Sequence, residues 1–439
     1  MMLIITLIAL FARIHRFIDV DDLCLNRAIA LHNITQNITR SIRPLKINIP
    51  ILLYTLANLQ YRSGEYKIQF FPINTSRELI KKALEEMSYR TNWVNGTGRY
   101  NIKSLKRIKD TIRADEVSRL SATIYAIFQK EMSAEYASPI SFVENCNKYK
   151  IDGYYDVIYS THSKEISGDI KLALSTIITY SVLNRDPGYC YNSISWRPNV
   201  YKIFMQSGSR CLDCFSSPIH PTIRPYCSMF PQDTFFDGCV GAFSIETLKR
   251  IRPDILFCNP TIDPFTGTYC METLDQYLSE HDAMAIITTQ CTLGRMPNYV
   301  DPASTTHNIV ASSILDHCFR SSRTLGFIII PIDISRSSLI YQNNTRLTKS
   351  SIEIETSYMM IFYGKLPSTY QSVTAIKRLL IDRLRQNCEV RSVVAYRNYG
   401  VLRPNISEIN KIKSEYGWSI DVHKEMSENI RLFRSYFDN

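Results

Sequence analysis

Two carbonyl oxygens at the end of an apolar strand are the most informative chemical feature of this chain. The predicted strand is Asp254–Cys258, and it is followed directly by Asn259 and Pro260. The Asn259 side chain carries one carbonyl oxygen, and the main chain of Pro260 carries a second, held by the restricted proline ring. Two fixed acceptors can bind both N–H groups of an exocyclic amine while its nitrogen is aligned with an electrophile. The motif therefore favours alkylation of an amine.

A second motif precedes this strand and has the form of a cofactor-binding turn. Ser209–Pro218 contains a predicted strand, Arg210–Phe215, that runs into a turn of small residues. Rossmann-type domains bind their cofactor at such a turn. The order of the two motifs is the one expected of a methyltransferase that uses S-adenosylmethionine. The residues expected to contact this cofactor are Asp213, Cys214, Phe215 and Ser216, although Asp213 could equally face solvent at the strand end.

The segment between and around these motifs resembles a known family. The matching residues are Cys214–Ile219, Arg224–Asp233, Phe235–Gly238, Gly241–Phe243 and Asn259–Pro260. This ordered series resembles the phosphorylated-CTD-interacting-factor family, which methylates N6 of the 2′-O-methyladenosine next to the mRNA cap. The resemblance extends from about Ser209 to Tyr363. It implies capped mRNA as substrate, Asn259–Ile262 as the catalytic tetrapeptide, and Asp233 as a contact to the cofactor ribose.

The chain departs from this family within the catalytic tetrapeptide. Thr261 and Ile262 stand where the family has Pro and Phe. The family's aromatic ring stacks on the adenine, and such stacking contributes about 1–3 kcal/mol per base. Phe265 and Tyr269 follow closely and are candidates to replace the ring in binding the substrate. The alternative hypothesis is a catalytically inactive subunit of the same fold that binds RNA or a partner protein.

Strands alternate with helices after Pro198, as in a doubly wound α/β sheet. The predicted strands are Arg210–Phe215, Asp254–Cys258, Ala283–Thr289, Leu325–Ile332 and Ser357–Tyr363. The last two could form the antiparallel hairpin that ends the sheet in methyltransferases of this class. The polar segment Ser335–Thr356 joins them and is predicted to be a functional or mobile loop. The expected fold is a Rossmann-like methyltransferase domain preceded by a mainly helical accessory region.

Helical patterns dominate the first part of the chain. Ser76–Met87 begins with an N-cap residue and carries apolar residues at helical spacing, and Gly168–Leu183 is a second helical run. The predicted organisation is a helical accessory region over residues 1–197, a methyltransferase domain over 198–367 and a helical extension over 368–439.

One predicted helix, Asn101–Arg113, is a candidate for RNA binding. Its apolar residues form one stripe, while Lys103, Lys106 and Arg107 lie among the cations on the rest of its surface. These cations could bind RNA phosphates near the catalytic cleft. The alternative is a solvated helix face that packs on the core without any RNA function.

Composition bounds the class of protein and its partners. The net charge of +10 favours a polyanion such as RNA, although a similar excess occurs in proteins that bind no nucleic acid. The 12 cysteines are not spaced like those of a small secreted domain, so we expect reduced, structural thiols and a nuclear or cytoplasmic location. Cys211 and Cys214 form a close pair without a second such pair, so no metal site is expected.

Two further features concern membranes and the polymerase tail. The apolar run Met1–Phe11 lacks the basic leader of a signal peptide and is too short to span a bilayer, so a buried first helix is predicted. A membrane-surface anchor is the alternative, and it leads to a third hypothesis, a membrane-associated structural protein. The tryptophans, Trp93, Trp196 and Trp418, are too far apart for a WW module, so binding to the polymerase tail by that route is not expected.

Overall fold

The computed structural model of the chain contains a helical N-terminal region followed by a mixed sheet with six strands. The α/β class and the helical region that precedes the sheet are therefore confirmed. The structure describes residues 20–42, 49–62, 75–90, 114–134, 140–143, 148–151, 155–158, 170–183, 194–205, 207–218, 221–228, 230–260, 264–290, 313–330, 339–343, 348–350, 358–387 and 417–437.

Among the described residues, five helices of the N-terminal region share one hydrophobic core. The predicted helix after Ser76 is confirmed, because the Ser76 hydroxyl caps it by accepting a hydrogen bond from the amide of Leu79 at 3.1 Å. The predicted helical run that ends at Leu183 is confirmed as well. Aliphatic side chains at helical spacing fill the shared core. The helices are α1 (Val20–Ser41), α2 (Ile49–Arg62), α3 (Arg77–Arg90), α4 (Ala114–Met132) and α5 (Ile170–Leu183).

The membrane hypothesis and the RNA-binding hypothesis for the N-terminal region each involve one predicted segment. The apolar run Met1–Phe11 and the basic segment Asn101–Arg113 both lie outside the described residues. None of the helices that the structure describes is long and apolar enough to cross a membrane. The buried first helix and the RNA-binding helix therefore stay predictions.

A small antiparallel sheet interrupts the helical region and was missed by the sequence interpretation. Its strands are β1 (Ile140–Val143), β2 (Lys148–Ile151) and β3 (Tyr155–Ile158), in the order β1-β2-β3. Each strand has only four residues. Runs this short carry too few alternations to stand out from irregular sequence.

The central sheet consists of five strands that share one direction and one strand that opposes them. The strand order is β6-β5-β7-β8-β12-β9, with parallel pairing from β6 to β8 and antiparallel pairing of β12 with both of its neighbours. All five predicted strands are present, and where both the predicted and the observed end lie among the described residues, the two differ by no more than one residue. The strands are β5 (Cys211–Ser216), β6 (Tyr226–Ser228), β7 (Ile255–Cys258), β8 (Met284–Gln290), β9 (Thr324–Ile330) and β12 (Tyr358–Gly364).

The apolar composition of these strands follows from burial on both faces of the sheet. Every residue of β7 is buried, as are the last five residues of β9. Parallel sheets need such continuous apolar runs because helices cover both of their faces. The helices around the sheet are α6 (Pro198–Met205), α7 (Ile245–Ile251), α8 (Pro264–Glu280) and α9 (Ser313–Arg320).

The polar connection between β9 and β12 contains strands that the sequence interpretation treated as loop. Leu339–Asn343 (β10) and Thr348–Ser350 (β11) form an antiparallel hairpin. Strand β10 also pairs with β4 (Ile194–Trp196), so that Leu339 lies opposite Trp196. At least part of Ser335–Thr356 is therefore a hairpin. Through β10 this hairpin pairs with β4, the strand that precedes α6. Strands of five and three residues are too short to show the alternation that identifies a half-buried strand.

Two helices in the described C-terminal segments, 358–387 and 417–437, belong to the same core as the sheet. They are α10 (Val373–Asn387) and α11 (Val422–Phe437), and both lie in the predicted helical extension. Lys377 of α10 is 1% exposed, and its ammonium group lies 2.7 Å from a carboxylate oxygen of Glu425 and 2.7 Å from one of Glu428. Glu425 also accepts a hydrogen bond from the amide of Phe327 in β9. These contacts attach the extension to the outer strand of the sheet.

We expect Lys377→Met to lower the free energy of unfolding by about 3–5 kcal/mol, because two partly buried carboxylates would lose their cation. Urea denaturation measures the change. The matched control is Lys365→Met, which removes an exposed ion pair with Asp282 and should alter stability by no more than about 0.5 kcal/mol. Equal effects of the two variants would contradict the attachment of α11 through Lys377.

Candidate functional site

The chain reverses its direction of winding between β5 and β7, and this creates a crevice at the carboxyl ends of those strands. From β5 the chain proceeds to β6 on one side and then returns to β7 on the other side. Ligands of open α/β sheets bind outside the carboxyl ends of the strands at such a reversal. The turn after Ser216 and the Asn259–Pro260 motif both lie at this position. The structure thus brings the two predicted motifs together.

The pairing register places the site residues on one face of the sheet. Asp213 of β5 lies opposite Phe257 of β7 in parallel register. Side chains alternate between faces along a strand, so Phe215 belongs to the same face as Asp213, and Asn259 follows directly after β7. All four side chains line one cavity. Cys214 and Cys258 point to the opposite face.

Helix α6 and strand β4 cover this face and enclose the cavity. The closed part of this space has room for about one water molecule, about 10 Å³, and the volume reaches about 370 Å³ only when the open mouth is included. Its walls combine aromatic rings with a few polar groups, an arrangement typical of ligand sites. The aromatic lining residues are Trp196, Tyr201, Phe204, Phe215 and Phe257, and the polar ones are Ser195, Asp213, Asn259 and Thr288.

Aromatic contacts fix the position of α6 over the sheet. The rings of Tyr201 and Phe204 pack edge-on against Phe257, with centroid separations of 4.6 and 5.4 Å. The indole N–H of Trp196 donates to the hydroxyl of Thr288 in β8 at 3.0 Å. Sequence reasoning missed Trp196, Tyr201 and Thr288. The amphipathic run just before β5 was the available signal, but its role depends on long-range contacts.

Asp213 is a buried carboxyl group in the cavity wall. Burial raises the pKa of Asp213 to about 7, while hydrogen bonds from the Phe215 amide and the Ser216 hydroxyl oppose the rise. The Phe215 amide lies 3.2 Å from the carboxylate. A buried carboxyl that titrates near neutral pH within a crevice marks a candidate functional site. Asp213 therefore does not face solvent, which was the alternative left open by the sequence.

The amide motif occupies the end of β7 as predicted. Asn259 is half-buried and lines the cavity, and Pro260 is buried behind it. Thr261 and Ile262 lie outside the described residues, so their roles remain predictions. Phe265 lies in the first turn of α8, but its side chain also falls outside the described part of the chain. The predicted RNA-binding residues Lys103, Lys106 and Arg107 lie outside it as well.

The cysteines near the site pack as small apolar groups. Cys214 is 1% exposed on the face opposite the cavity, where its thiol interacts with Cys258, and Cys258 with Cys270 of α8. Burial raises the pKa of each of these thiols, which disfavours the reactive thiolate. Cys211 and Cys214 are both unpaired thiols. Among the described residues, no group of three or more His, Cys, Asp or Glu side chains is arranged to hold a metal ion.

Asp233 is part of a buried network that joins the helical region to the sheet. Its carboxylate accepts hydrogen bonds from the hydroxyl of Tyr180 in α5, at 2.6 Å, and from the hydroxyl of Ser228 in β6. The ring of Tyr180 packs edge-on against Phe230, with centroids 5.4 Å apart. Burial raises the pKa of Asp233 to about 7. These contacts give Asp233 a structural role, and its predicted contact to a ribose remains a prediction.

Tyr269 belongs to an aromatic cluster beside the cavity. Its hydroxyl donates to the carbonyl of Phe243 at 3.0 Å, and its ring meets that of Phe243 edge-on. Phe243 packs in turn against Phe215, with centroids 4.9 Å apart. Tyr269 thus supports a cavity-lining ring from behind. Its predicted direct contact to the substrate is not tested by these contacts.

We expect the free energy of unfolding to fall between about pH 4 and pH 7 partly because of Asp233. The carboxyl has a pKa near 4 in an unfolded chain and about 7 in the folded protein, so the folded state binds the extra proton in this window. Stability is therefore highest below the unfolded pKa and is lost as pH rises through the folded one. Asp233→Asn should flatten this fall in chemical denaturation measured across the window.

The control for this experiment is Asp237→Asn, because that carboxylate is 84% exposed beside Arg224. It should leave the pH dependence of stability close to that of the wild type. A slope that is unchanged in Asp233→Asn would show that the buried carboxyl does not titrate in this range.

The chain has no match among known family models, and no curated protein matches it either. The interpretation of the crevice therefore depends on its own residues and on the motif resemblance from Ser209 to Tyr363. The geometry adds what the motifs alone lacked, namely a cavity that brings Asp213, Phe215 and Asn259 to one face of the sheet.

Proposed function

We propose that the protein is an S-adenosylmethionine-dependent methyltransferase that acts on the N6 amine of adenosine in RNA, at the position next to an mRNA cap. The observation that carries this proposal is the position of Asn259. It follows β7 at the reversal of the sheet and shares a cavity with Asp213 of β5. The two predicted motifs, one for the cofactor and one for the amine, thus face the same space.

The topology of the sheet supports a Rossmann-like methyltransferase domain. The sequence interpretation expected an antiparallel hairpin at the end of the sheet. Strand β12 pairs antiparallel with β9 from Tyr358 opposite Ile330, and it also pairs antiparallel with β8. An antiparallel strand inserted among parallel ones agrees with that expectation. Together with the crevice between β5 and β7, it favours this fold over other doubly wound sheets.

The residues around the cavity fit a cationic cofactor with planar and polar parts. S-adenosylmethionine supplies a methyl group on a positively charged sulfur. Asp213 could bind positive charge as a carboxylate, and the aromatic walls offer π faces that attract cations. Ser216 and the Phe215 amide hold the Asp213 carboxylate in place. A bound cation would also favour the ionised form of Asp213, which burial alone disfavours.

The Asn259–Pro260 motif would orient the amine. The lone pair of an adenine amine is delocalised into the ring, so positioning matters more than general-base strength. The Asn259 side-chain carbonyl and the Pro260 main-chain carbonyl would accept the two N–H groups and direct the nitrogen lone pair at the methyl carbon. Burial of Pro260 behind the cavity gives its carbonyl a fixed position. Bond formation between this nitrogen and the methyl carbon would break the carbon–sulfur bond and release S-adenosylhomocysteine, and the extra proton of the methylated amine would pass to water.

The net charge of +10 supports an RNA substrate, because phosphate attraction favours association with basic proteins. We place capped mRNA first among substrates because of the motif resemblance. Lys103, Lys106 and Arg107 are the proposed phosphate contacts. The protein would act where capped transcripts occur, in the nucleus or the cytoplasm.

A second candidate function is a non-catalytic subunit with the same fold. The observation that favours it is the pair Thr261 and Ile262, which replaces the Pro and Phe of the resembled family. Such a subunit would bind RNA or a partner protein without methyl transfer. The two functions differ in one measurable property, which is the turnover of S-adenosylmethionine.

We expect Asn259→Ala to remove most methyl transfer to an RNA that carries a cap and begins with adenosine. Loss of one acceptor in a preorganised site lowers kcat by about 100-fold or more. The affinity for S-adenosylmethionine should stay within a few-fold, because the lost group contacts the substrate amine. Transfer of a labelled methyl group gives the rate, and calorimetry gives the cofactor affinity.

Gln386→Ala removes an exposed amide near the end of α10 and provides the control. This variant should transfer methyl groups at the wild-type rate. Full activity of Asn259→Ala would exclude the assignment of Asn259. Absence of transfer by the wild type, with the RNA still bound, would support the non-catalytic subunit.

A further inference from the structure

Phe215 lies beside Asn259 in the cavity. Asp213 and Phe257 form the last pair of the β5–β7 ladder, and Phe215 and Asn259 each follow that pair by two residues along the chain. Both side chains line the cavity and both are half-buried. A planar group whose amine reaches Asn259 would consequently come within reach of the Phe215 ring.

Phe215 differs from the other aromatic residues of the cavity in its exposure. Trp196 and Phe204 are 1% exposed, and Tyr201 and Phe257 are 5% exposed. Their rings are engaged with one another and with the sheet. Of the five aromatic side chains that line this cavity, only Phe215 retains a substantial exposed surface. It can therefore offer a ring face to a ligand without rearrangement of the core.

The ring of Phe215 is supported from one side. Phe243 packs against it at a centroid distance of 4.9 Å and an interplanar angle of 42°. Phe243 is only 7% exposed, and Tyr269 holds it through the ring contact and the hydrogen bond to its carbonyl. A ring supported in this way loses little conformational freedom when a ligand stacks on it.

We propose that Phe215 is the stacking surface for the purine base whose amine is presented to Asn259. Phe215 thus supplies the aromatic contact that Ile262 cannot make, because Ile262 has no ring. This inference rests on the proposed function, and it reassigns Phe215 from the cofactor to the substrate. The ligand of this part of the cavity would be a planar heteroaromatic ring with an exocyclic amine. Phe243 and Tyr269 thereby act as positioning residues.

The test compares Phe215→Leu with Phe215→Tyr in the full-length protein. Leucine keeps apolar contact but removes the π face, so the KM for capped, adenosine-initiated RNA should rise about tenfold. The value of kcat and the dissociation constant of S-adenosylmethionine should change less than about twofold, because neither depends on this contact. Tyrosine keeps the ring and should restore the KM. Phe235→Leu, which alters a phenylalanine that is 51% exposed outside the cavity, should leave all three values unchanged.

A fluorescence measurement makes the test independent of turnover. RNA whose first nucleotide is formycin, a fluorescent adenosine analogue that keeps the exocyclic amine, should lose fluorescence when the wild type stacks this base, and Phe215→Leu should not cause the loss. An unchanged KM and unchanged quenching in Phe215→Leu would overturn the proposal. A cofactor dissociation constant that rises as much as the KM would also overturn it, because the ring would then contact the cofactor. If the wild type quenches the base but transfers no methyl group, the proposed function fails while the stacking proposal holds.

Discussion

The parallel pairing of β5 with β7 is the constraint on which the candidate site depends. It sets Asp213 opposite Phe257, and so it places the carboxyl, the stacking ring and the amide motif on one face of the sheet. A slip of one residue in either strand would turn that strand's side chains to the opposite face. On the opposite face, the small thiols of Cys214 and Cys258 pack beneath α8. A slip would replace them with the larger neighbouring side chains, and this opposes it. Register, rather than any single residue, thus assembles the crevice.

Two buried carboxyl groups with a similar pKa serve different parts of the molecule. Asp213 and Asp233 are 3% and 1% exposed, and burial raises the pKa of both to about 7. Asp233 has its hydrogen-bond donors within the protein, from Tyr180 and Ser228. Asp213 also accepts hydrogen bonds, from the Phe215 amide and the Ser216 hydroxyl, but it faces a cavity as well, where a ligand could change its protonation. Burial of an ionisable carboxyl in a cavity wall lowers stability, and such a carboxyl is typical of functional sites. The Asp233 network, in contrast, attaches the helical region to the sheet.

The sequence was most informative where structure is local. The five strands of the sheet were predicted because continuous apolar runs bounded by polar residues need no knowledge of the partners. The helix capped by Ser76 was predicted for a similar reason. The two small sheets were missed, since strands of three to five residues give weak patterns. Nor could the sequence show that Trp196 and Tyr201 cover the crevice, because α6 acquires that role only through contacts with β7 and β8.

Asp233 illustrates a different limit. The resemblance assigned it to a ribose, but a motif cannot show that Tyr180, far earlier in the chain, donates to the same carboxylate. Asn259 was placed correctly at the end of β7 by its strand alone.

The most direct test of the account is a calorimetric titration of the full-length protein with S-adenosylmethionine. We predict saturable binding at one site per chain, competition by S-adenosylhomocysteine, and weaker binding in Asp213→Asn, whose side chain cannot carry the negative charge that favours a cation. ATP shares the adenosine but lacks the sulfonium group, and it should not compete. An absence of binding at two temperatures, with the protein folded, would contradict the assignment of the crevice as a methyltransferase site.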